Sequence, residues 1–284
     1  MGIFSGLEKF GFHQNENMQV YDTDKPKGKQ EQTEEQSILR TKVEESDLLF
    51  DKSHVCPLCD TSFTTRTVKT GKAKILSHDS DLRPKYSHID VLKYDAIVCP
   101  KCGFAAMSRY FVPVSPTQAK WIKEQITSNF QGFSIPEDKY SYDDAIAMHK
   151  LALMSTIVKH GKVSERAYCC LKLAWLYRGK WEECRDEEER QQIKQEEFEL
   201  IEKAYEGFKD AFSKESFPMC GMDELTVTFL VADLARQIKH YDVALQWAYK
   251  IISSMSANER IKDKARTLKE QIFEEQQLEG EQGE

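Results

Sequence analysis

The sequence predicts an α+β protein that is mostly α-helical, with a small β-rich region followed by a longer helical array. Two observations predict this class. Two Cys-Pro-x-Cys motifs, at residues 56–59 and 99–102, flank segments rich in β-branched residues, which favour strands. After Pro113, capping residues and amphipathic patterns recur through most of the remaining chain, so helix is expected to dominate.

The two cysteine motifs predict a metal site. Each motif places two thiols on one tight turn, in which the proline after the first cysteine presets φ. Two such turns supply the four thiolates that a tetrahedral Zn²⁺ needs, with no coordination position left open. The sequence therefore predicts a structural zinc ion in a four-cysteine zinc ribbon, with these ligands: Cys56, Cys59, Cys99 and Cys102.

Alternatives to this site remain open from the cysteines alone. The two pairs could be unrelated reduced thiols, or the first pair could be a redox-active dithiol. The dithiol motif should open a helix, whereas residues 61–68 are rich in β-branched residues and favour a strand. A nearby histidine could also replace one thiol, and the three candidates are His54, His78 and His88. The other four cysteines are interpreted as small reduced packing residues: Cys169, Cys170, Cys184 and Cys220.

The segment between the motifs, residues 60–98, is longer than the roughly 15–20 residues of a compact ribbon. We therefore expect an insertion or hairpin within it, with strands near 63–68 and 94–98. Residues 79–84 form a polar turn segment. Its two acids, Asp79 and Asp81, could hold a second cation, but they lack a recognised loop spacing and are interpreted as solvated turn residues.

Capping patterns predict seven helices after residue 113. Ser115-Pro116-Thr117-Gln118 combines a cap residue, a proline at the first helical position and a glutamine three residues after the cap. The other predicted N-caps each precede an amphipathic stretch: Ser141, Ser164, Asp186, Asp223, Asp242 and Asn258.

Small residues recur at helical spacing in three of these stretches. The sets are Ala145, His149 and Ala152; Ala204, Phe208 and Ala211; and Ala244, Ala248 and Ile251. The last region resembles a tetratricopeptide repeat, with Ala232, Tyr241 and Ala244 at matching positions. A right-handed tetratricopeptide-like array is expected, although the starts are uneven against a unit of about 34 residues. The extra chain is expected at 179–195, and a plain helical bundle is the alternative.

Composition divides the chain into five parts. Residues 1–22 carry apolar side chains on one helical face and are interpreted as an N-terminal anchor segment, and residues 23–46 are interpreted as a flexible linker. The zinc-ribbon-like domain is expected at 47–113, the tetratricopeptide-like helical domain at 114–276 and an acidic tail at 277–284.

Charge and hydropathy limit the functional classes. The chain has 284 residues and a net charge of −7, which disfavours a general nucleic-acid binder. Residues 52–102 are nevertheless locally basic, so a regulator that binds nucleic acid through the ribbon is the alternative function. No apolar run approaches the roughly 18 residues of a membrane span, and the first residues lack a signal-peptide pattern. A cytoplasmic location without a membrane span is expected.

The cysteine motifs and the helical half together resemble a bacterial family catalogued as domain of unknown function 2225. The resemblance rests on Cys56-Pro57-Leu58-Cys59 followed by Phe63, on residues 81–86, on the string from Tyr94 to Ala106 and on residues 173–178. It implies a zinc-ribbon-like region joined to tetratricopeptide-like helices, and it implies no agreed activity.

The predicted function is a zinc-stabilised protein-protein interaction scaffold or adaptor, with a protein or peptide bound on the helical array. A zinc enzyme is disfavoured, because a set of four cysteine ligands is closed and no His-Glu-x-x-His motif is present. The partner surface is expected on the first helix of each pair, near 117–130, 165–178 and 224–239. Basic residues there are candidates for an acidic or carboxylate ligand: Arg166, Lys172, Arg178, Arg236 and Lys239.

Overall fold

A computed structural model describes residues 43–282 of the chain. The expected anchor segment and most of the expected linker, residues 1–42, lie outside the described residues, as do the last two residues of the expected acidic tail. The described residues, 43–282, cluster as one compact unit, which contains both the predicted ribbon and the predicted helical domain. Contacts between the strand region and the helices therefore help to position the predicted metal site.

The strands within residues 43–282 form three separate two-stranded antiparallel sheets. The strands are β1 (Leu49–Val55) with β2 (Ser62–Val68), β3 (Ile75–His78) with β4 (Pro84–Tyr86), and β5 (Ala96–Val98) with β6 (Ala105–Met107). Strand β2 and strand β5 confirm the two predicted strand segments. The β3–β4 hairpin confirms the expected insertion, because it lies between the two cysteine motifs.

Helices make up most of the described chain, which confirms the predicted mainly helical class. Seven α-helices lie within residues 43–282: α1 (Pro116–Gln125), α2 (Tyr142–Val158), α3 (Val163–Glu183), α4 (Glu187–Lys214), α5 (Glu224–Gln237), α6 (Tyr241–Ile252) and α7 (Glu259–Gln282). The segment 179–195, where extra chain was expected, is helical except for residues 184–186 and lengthens α3 and α4.

Five of the predicted caps are confirmed. In each case the side chain accepts a hydrogen bond from a backbone N–H in the first turn, as an N-cap should. These caps are Ser115, Ser141, Asp186, Asp223 and Asn258.

Ser164 and Asp242 are not caps. Helix α3 begins one residue before Ser164, whose N–H and Oγ donate to the Glu215 carboxylate at 3.1 and 2.5 Å. A carboxylate distant in sequence thus binds the first turn in place of a local cap. Asp242 lies inside the first turn of α6, where an acidic side chain favours the positive end of the helix dipole.

Consecutive helices from α2 to α7 pack on one another, and α5 also contacts α7. The small residues serve close packing. A Cβ at Gly207 of α4 would lie 2.7 Å from the Ala167 Cβ of α3, so the two helices approach too closely there for a side chain. Ala145, Ala204 and Ala244 are fully buried in the main core. The right-handed repeat arrangement stays a prediction.

Residues of the strand region and of the helices pack together in the same hydrophobic clusters. Leu92, from the insertion, belongs to the cluster formed by residues of α2 to α7. In a second cluster Val98 of β5 packs with Met148 of α2. The Ala105 N–H of β6 donates to the Ser155 hydroxyl of α2 at 3.1 Å. Removing residues up to 113 would therefore expose apolar surface of the helices and break hydrogen bonds to them.

The interpretation of residues 79–84 as a solvated turn was wrong. Asp81 is 0% exposed, and its carboxylate accepts a hydrogen bond from Arg178 of α3 at 3.1 Å and forms an ion pair with it at 2.8 Å. Arg83 is also buried and donates to both oxygens of Glu182, at 3.1 Å each. The turn is buried because the helices supply opposite charges that local sequence cannot reveal.

A second acid extends this cluster to α5. Asp233 is fully buried and accepts hydrogen bonds from Ser80, at 3.0 Å, and Gln237, at 2.8 Å. Burial raises the pKa of Asp233. Although burial also disfavours the charged form of Asp81, the Arg178 guanidinium lowers the pKa of that carboxyl. Asp233 also pairs with Arg236 at 3.0 Å, but the negative charge of Asp81 adds to the effect of burial, so the pKa values of the two neighbouring carboxyls shift in opposite directions.

The substitution Arg178→Ala is expected to lower the free energy of unfolding by about 3–5 kcal/mol, because it leaves the buried Asp81 carboxylate without its cation. Urea unfolding followed by circular dichroism measures this loss. The control is Lys239→Ala, which removes a cation whose side chain is 67% exposed and pairs with Glu279. Its effect should stay within about 0–1 kcal/mol. Equal losses in the two variants would contradict a special role for the buried pair.

A fragment of residues 114–284 is expected to unfold at lower temperature than the intact chain, or without a cooperative transition. It lacks Leu92 and Asp81, so the helical core is opened and Arg178 loses its main partner. Thermal circular dichroism of the two proteins compares them directly. A fragment as stable and as cooperative as the intact chain would show that the helices have an independent core.

Candidate metal centre

The first cysteine motif lies at the tip of the β1–β2 hairpin. The Asp60 N–H donates to the Cys56 carbonyl at 3.0 Å, and the Cys56 N–H donates to the Thr61 carbonyl at 2.9 Å. These two bonds close a tight turn, and Asp60 adopts a left-handed φ of 57° to complete it. Both thiols are thereby carried on the same side of the hairpin tip.

The second motif repeats this turn at the tip of the β5–β6 hairpin. The Gly103 N–H donates to the Cys99 carbonyl at 3.1 Å, and the Cys99 N–H donates to the Phe104 carbonyl at 2.9 Å. Gly103 has a φ of 75°, and a Cβ there would lie 2.6 Å from the Phe130 ring. Glycine is therefore required both for backbone conformation and for space.

The four sulfur atoms meet between the two tips. All four Sγ atoms lie within 4.8 Å of one another. The Cys56–Cys102 and Cys59–Cys99 Sγ pairs are each 3.6 Å apart. Four sulfurs placed about 2.3 Å from a central zinc ion would be about 3.8 Å apart, whereas a disulfide needs about 2.05 Å. The spacing fits a tetrahedral metal site, and all four cysteines are free.

The site is largely closed to solvent. Cys56, Cys99 and Cys102 are buried, while Cys59 is half-buried. Apolar residues of the hairpins and of α1 pack around them, including Phe104, Ile122 and Ile126. The Thr127 hydroxyl, beyond α1, donates to the Cys102 carbonyl at 2.9 Å. Helix α1 and the turn after it thus cover the metal site, which suits a structural ion rather than one that binds substrate.

The thiols differ in acidity. A hydrogen bond with Cys102 lowers the pKa of Cys56 to about 5, and the same bond raises the pKa of Cys102. Burial raises the pKa of Cys99 to about 11. Desolvation and repulsion from Cys56 thus disfavour the ionisation of Cys99 and Cys102 unless a cation binds them. Metal binding would release the remaining protons, so metal affinity should fall at low pH.

The alternatives to four cysteines receive no support from the geometry. His54 lies on β1 with its Nε2 3.0 Å from the Thr65 hydroxyl, and its ring stacks on Phe63. His78 and His88 are exposed. Within the described chain the metal-ligating group consists of the four cysteines alone. The first Cys-Pro-x-Cys motif lies on a hairpin tip and does not open a helix, as a redox dithiol would.

Two of the predicted partner residues are used inside the protein. Lys172 is buried with its Nζ 3.4 Å from an Asp95 carboxylate oxygen. Arg178 binds Asp81 and also Glu197 of α4, at 2.6 Å from its Nε. Arg166 is half-buried on α3, and its Nε has no hydrogen-bond partner among the described residues.

Arg236 and Lys239 lie together at the end of α5, beside a cavity of about 890 Å³. Arg236 pairs with Asp233 and with Glu275 of α7, at 3.0 and 2.5 Å. Lys239 pairs with Glu279 of α7 at 2.7 Å. The same cavity is lined by Trp181 and by one face of α4, which sequence reasoning did not identify as a surface. The sequence feature that could have indicated this surface is Trp181, an isolated tryptophan within a charged segment.

The local positive charge of the strand region is partly neutralised. Arg66 pairs with Asp51, Lys93 with Glu45, and Lys85 with Asp79 and Glu182. Four exposed lysines there form no ion pair with the described residues: Lys52, Lys72, Lys74 and Lys101.

Comparison with known proteins gives one match. A family described as "Uncharacterized protein conserved in bacteria (DUF2225)" matches residues 49–272, which is more than half of the chain. No curated protein and no solved structure matches the sequence or the structure. Among helices α1 to α7, none combines the length and the apolar character that crossing a membrane requires.

The purified protein is expected to contain one zinc ion per chain, and the variants Cys99→Ser and Cys102→Ser should lose it because three thiolates hold the ion far less tightly. Elemental analysis of the purified proteins measures the zinc content. The control is Cys184→Ser, which removes a half-buried thiol away from the site. Full zinc content in the Cys99 and Cys102 variants would refute this ligand set.

Gly103→Ala should destabilise the protein more than Gly71→Ala does. The two glycines have nearly the same φ, 75° and 74°, so both substitutions should cost about 1–2 kcal/mol in backbone strain. Only residue 103 also meets the Phe130 ring, since nothing lies within 4 Å of a Cβ at residue 71. Urea unfolding gives the difference between the variants. Equal losses would mean that Phe130 moves away without cost.

Proposed function

Because the chain belongs to the DUF2225 family of uncharacterized bacterial proteins, we propose a function from its own geometry: a zinc-stabilised, cytoplasmic protein-protein interaction scaffold or adaptor. The zinc ion is structural. Cys56, Cys59, Cys99 and Cys102 hold it, and it joins the two hairpin tips. A closed set of four cysteine ligands offers no open position to a substrate, so the interaction surface lies elsewhere on the protein.

The cavity among the helices carries this proposal. Its volume of about 890 Å³ is within the range of ligand-binding clefts. Two large apolar side chains in its lining remain open to solvent, Phe198 at 39% and Leu278 at 57% exposure. Exposed apolar residues within a concave surface are typical of sites where another protein binds. In a right-handed tetratricopeptide-like array, this cavity would be part of the concave binding face.

Nucleic acid is the second candidate ligand. The observation in its favour is the set of exposed lysines on the strand region that form no ion pair with the described residues and could contact phosphates. Against it, the arginines Arg66 and Arg83 of that region are bound to Asp51 and Glu182. Protein binding on the helices is therefore the better supported function.

A photoreactive amino acid at position 198 or 278, tested in bacterial cells, should form a covalent adduct with the same partner protein, because both side chains face the cavity. The matched positions are 50 and 76 on the strand region, where Phe50 and Leu76 are also exposed apolar residues. Mass spectrometry of the adducts identifies what is bound. Adducts formed only from positions 50 and 76, or formed with nucleic acid, would move the function to the strand region.

A further inference from the structure

The cavity is a groove along one face of α4. Its lining residues on this helix follow one helical face: Glu187, Arg190, Gln191, Lys194, Gln195, Glu197, Phe198 and Ile201. Residues 187–201 of a helix extend about 21 Å at 1.5 Å per residue. The opposite wall is the end of α7, with Glu275, Leu278 and Glu279. The groove is thus long enough for about four turns of a helical segment.

The middle of the groove is apolar. Ile201 is buried at its floor, while Phe198 and Leu278 are partly open to solvent on the two facing helices. An amphipathic helix binds such a groove through apolar residues at positions i, i+3 or i+4, and i+7. This arrangement provides a contact for apolar side chains on one face of a partner segment.

The end of the groove beside Trp181 is cationic. The Arg190 guanidinium lies 4.1 Å from the centre of the Trp181 ring, and the Lys194 Nζ lies 4.7 Å from it. Within residues 43–282, Arg190 makes no ion pair. Lys194 pairs with Glu197 at 2.8 Å, but Glu197 is also bound by Arg178 at 2.6 Å. Packing on Trp181 restricts both cations, so presenting them to a ligand has a smaller entropic cost.

The other charges of the groove are compensated locally. Arg236 pairs with Glu275, and Lys239 pairs with Glu279, so this end is close to neutral. Glu187 forms no ion pair with the described residues, but it lies in the first turn of α4, where the helix dipole favours a negative charge. Glu187 and Arg190 are thus the unpaired charges of the groove among the described residues, and the end beside Trp181 is positive because Lys194 adds its charge to that of Arg190.

We propose that this groove binds an amphipathic segment of another protein that carries carboxylates on its polar side. Apolar residues of the segment pack on Phe198 and Leu278, and a carboxylate pairs with Arg190 and Lys194 beside Trp181. Arginine donates two parallel hydrogen bonds to a carboxylate, which gives this pair geometric specificity. The inference rests on the proposed function, because it assigns a partner chemistry to the proposed interaction surface.

Two synthetic peptides of about 14 residues test this chemistry, both with leucine at positions i, i+3 or i+4, and i+7. One carries glutamate on its polar side and the other carries lysine at the same positions. Fluorescence anisotropy of the labelled peptides with the intact zinc-loaded protein measures affinity. We expect the glutamate peptide to bind at least about tenfold more tightly than the lysine peptide, with binding that weakens as salt increases.

Charge-reversal variants test whether the peptide binds in this groove. The double variant R190E/K194E should weaken binding of the glutamate peptide by at least about tenfold, because it reverses the charge at the Trp181 end. The matched control is K120E/K123E, which makes the same change of charge on the exposed face of α1. It should leave the affinity unchanged. Zinc content and circular dichroism confirm that each variant is folded, and Phe198→Ala tests the apolar contact separately.

The outcomes separate the proposal from the function on which it rests. Equal binding of the two peptides, preference for lysine, or equal losses in both double variants would overturn the acidic-partner assignment. Absence of binding by either peptide would overturn it as well. If position 198 still forms an adduct with a partner protein in cells, the proposed function stands with a partner of different chemistry. Adducts only from the strand region would overturn both.

Discussion

The buried ion pair between Asp81 and Arg178 fixes the relation between the strand region and the helices. Removing two charges from water is costly, and the cost is offset here because each group has further partners. The Arg178 guanidinium also binds Asp79 and Glu197, and Gln237 contributes hydrogen bonds to both sides of the pair. The inserted turn is therefore held in one position on α3, α4 and α5, although its own strands β3 and β4 are short.

This pair and the metal site constrain the same stretch of chain in different ways. A metal ion bound by the four thiols would join the two hairpin tips and fix both ends of the segment between Cys59 and Cys99. The ion cluster fixes the middle of that segment at Asp81. Without this contact, the long insertion between the two pairs of cysteines would increase the entropic cost of bringing them together. The helices thus support the metal centre even though they contribute no ligand to it.

Features that depend on neighbouring residues were predictable from the sequence, and features that depend on distant ones were not. The cysteine turns, the strands β2 and β5 and five helix caps each follow from a few adjacent residues. The burial of Asp81 depends on Arg178, which is almost a hundred positions away, and the first turn of α3 is bound by Glu215. Likewise, the sequence places Lys172 and Arg178 on a predicted helix, but it does not reveal that Asp95 and Asp81 neutralise their charges. Charge patterns identified these groups as ionic, and only the fold assigned their partners.

The same cluster also forms one side of the groove. Glu197 and Gln237 line the cavity and bind Arg178, while Arg236 lines it and binds Asp233 and Ser80. Side chains that are fixed by buried partners lose little conformational freedom when a ligand arrives, so this side of the groove is preorganised. The opposite edge differs, because Arg190 and Lys194 are held mainly by Trp181. A partner segment would thus meet one side that is fixed by buried ion pairs and, on α4, a cationic edge whose two side chains are restricted by packing on Trp181.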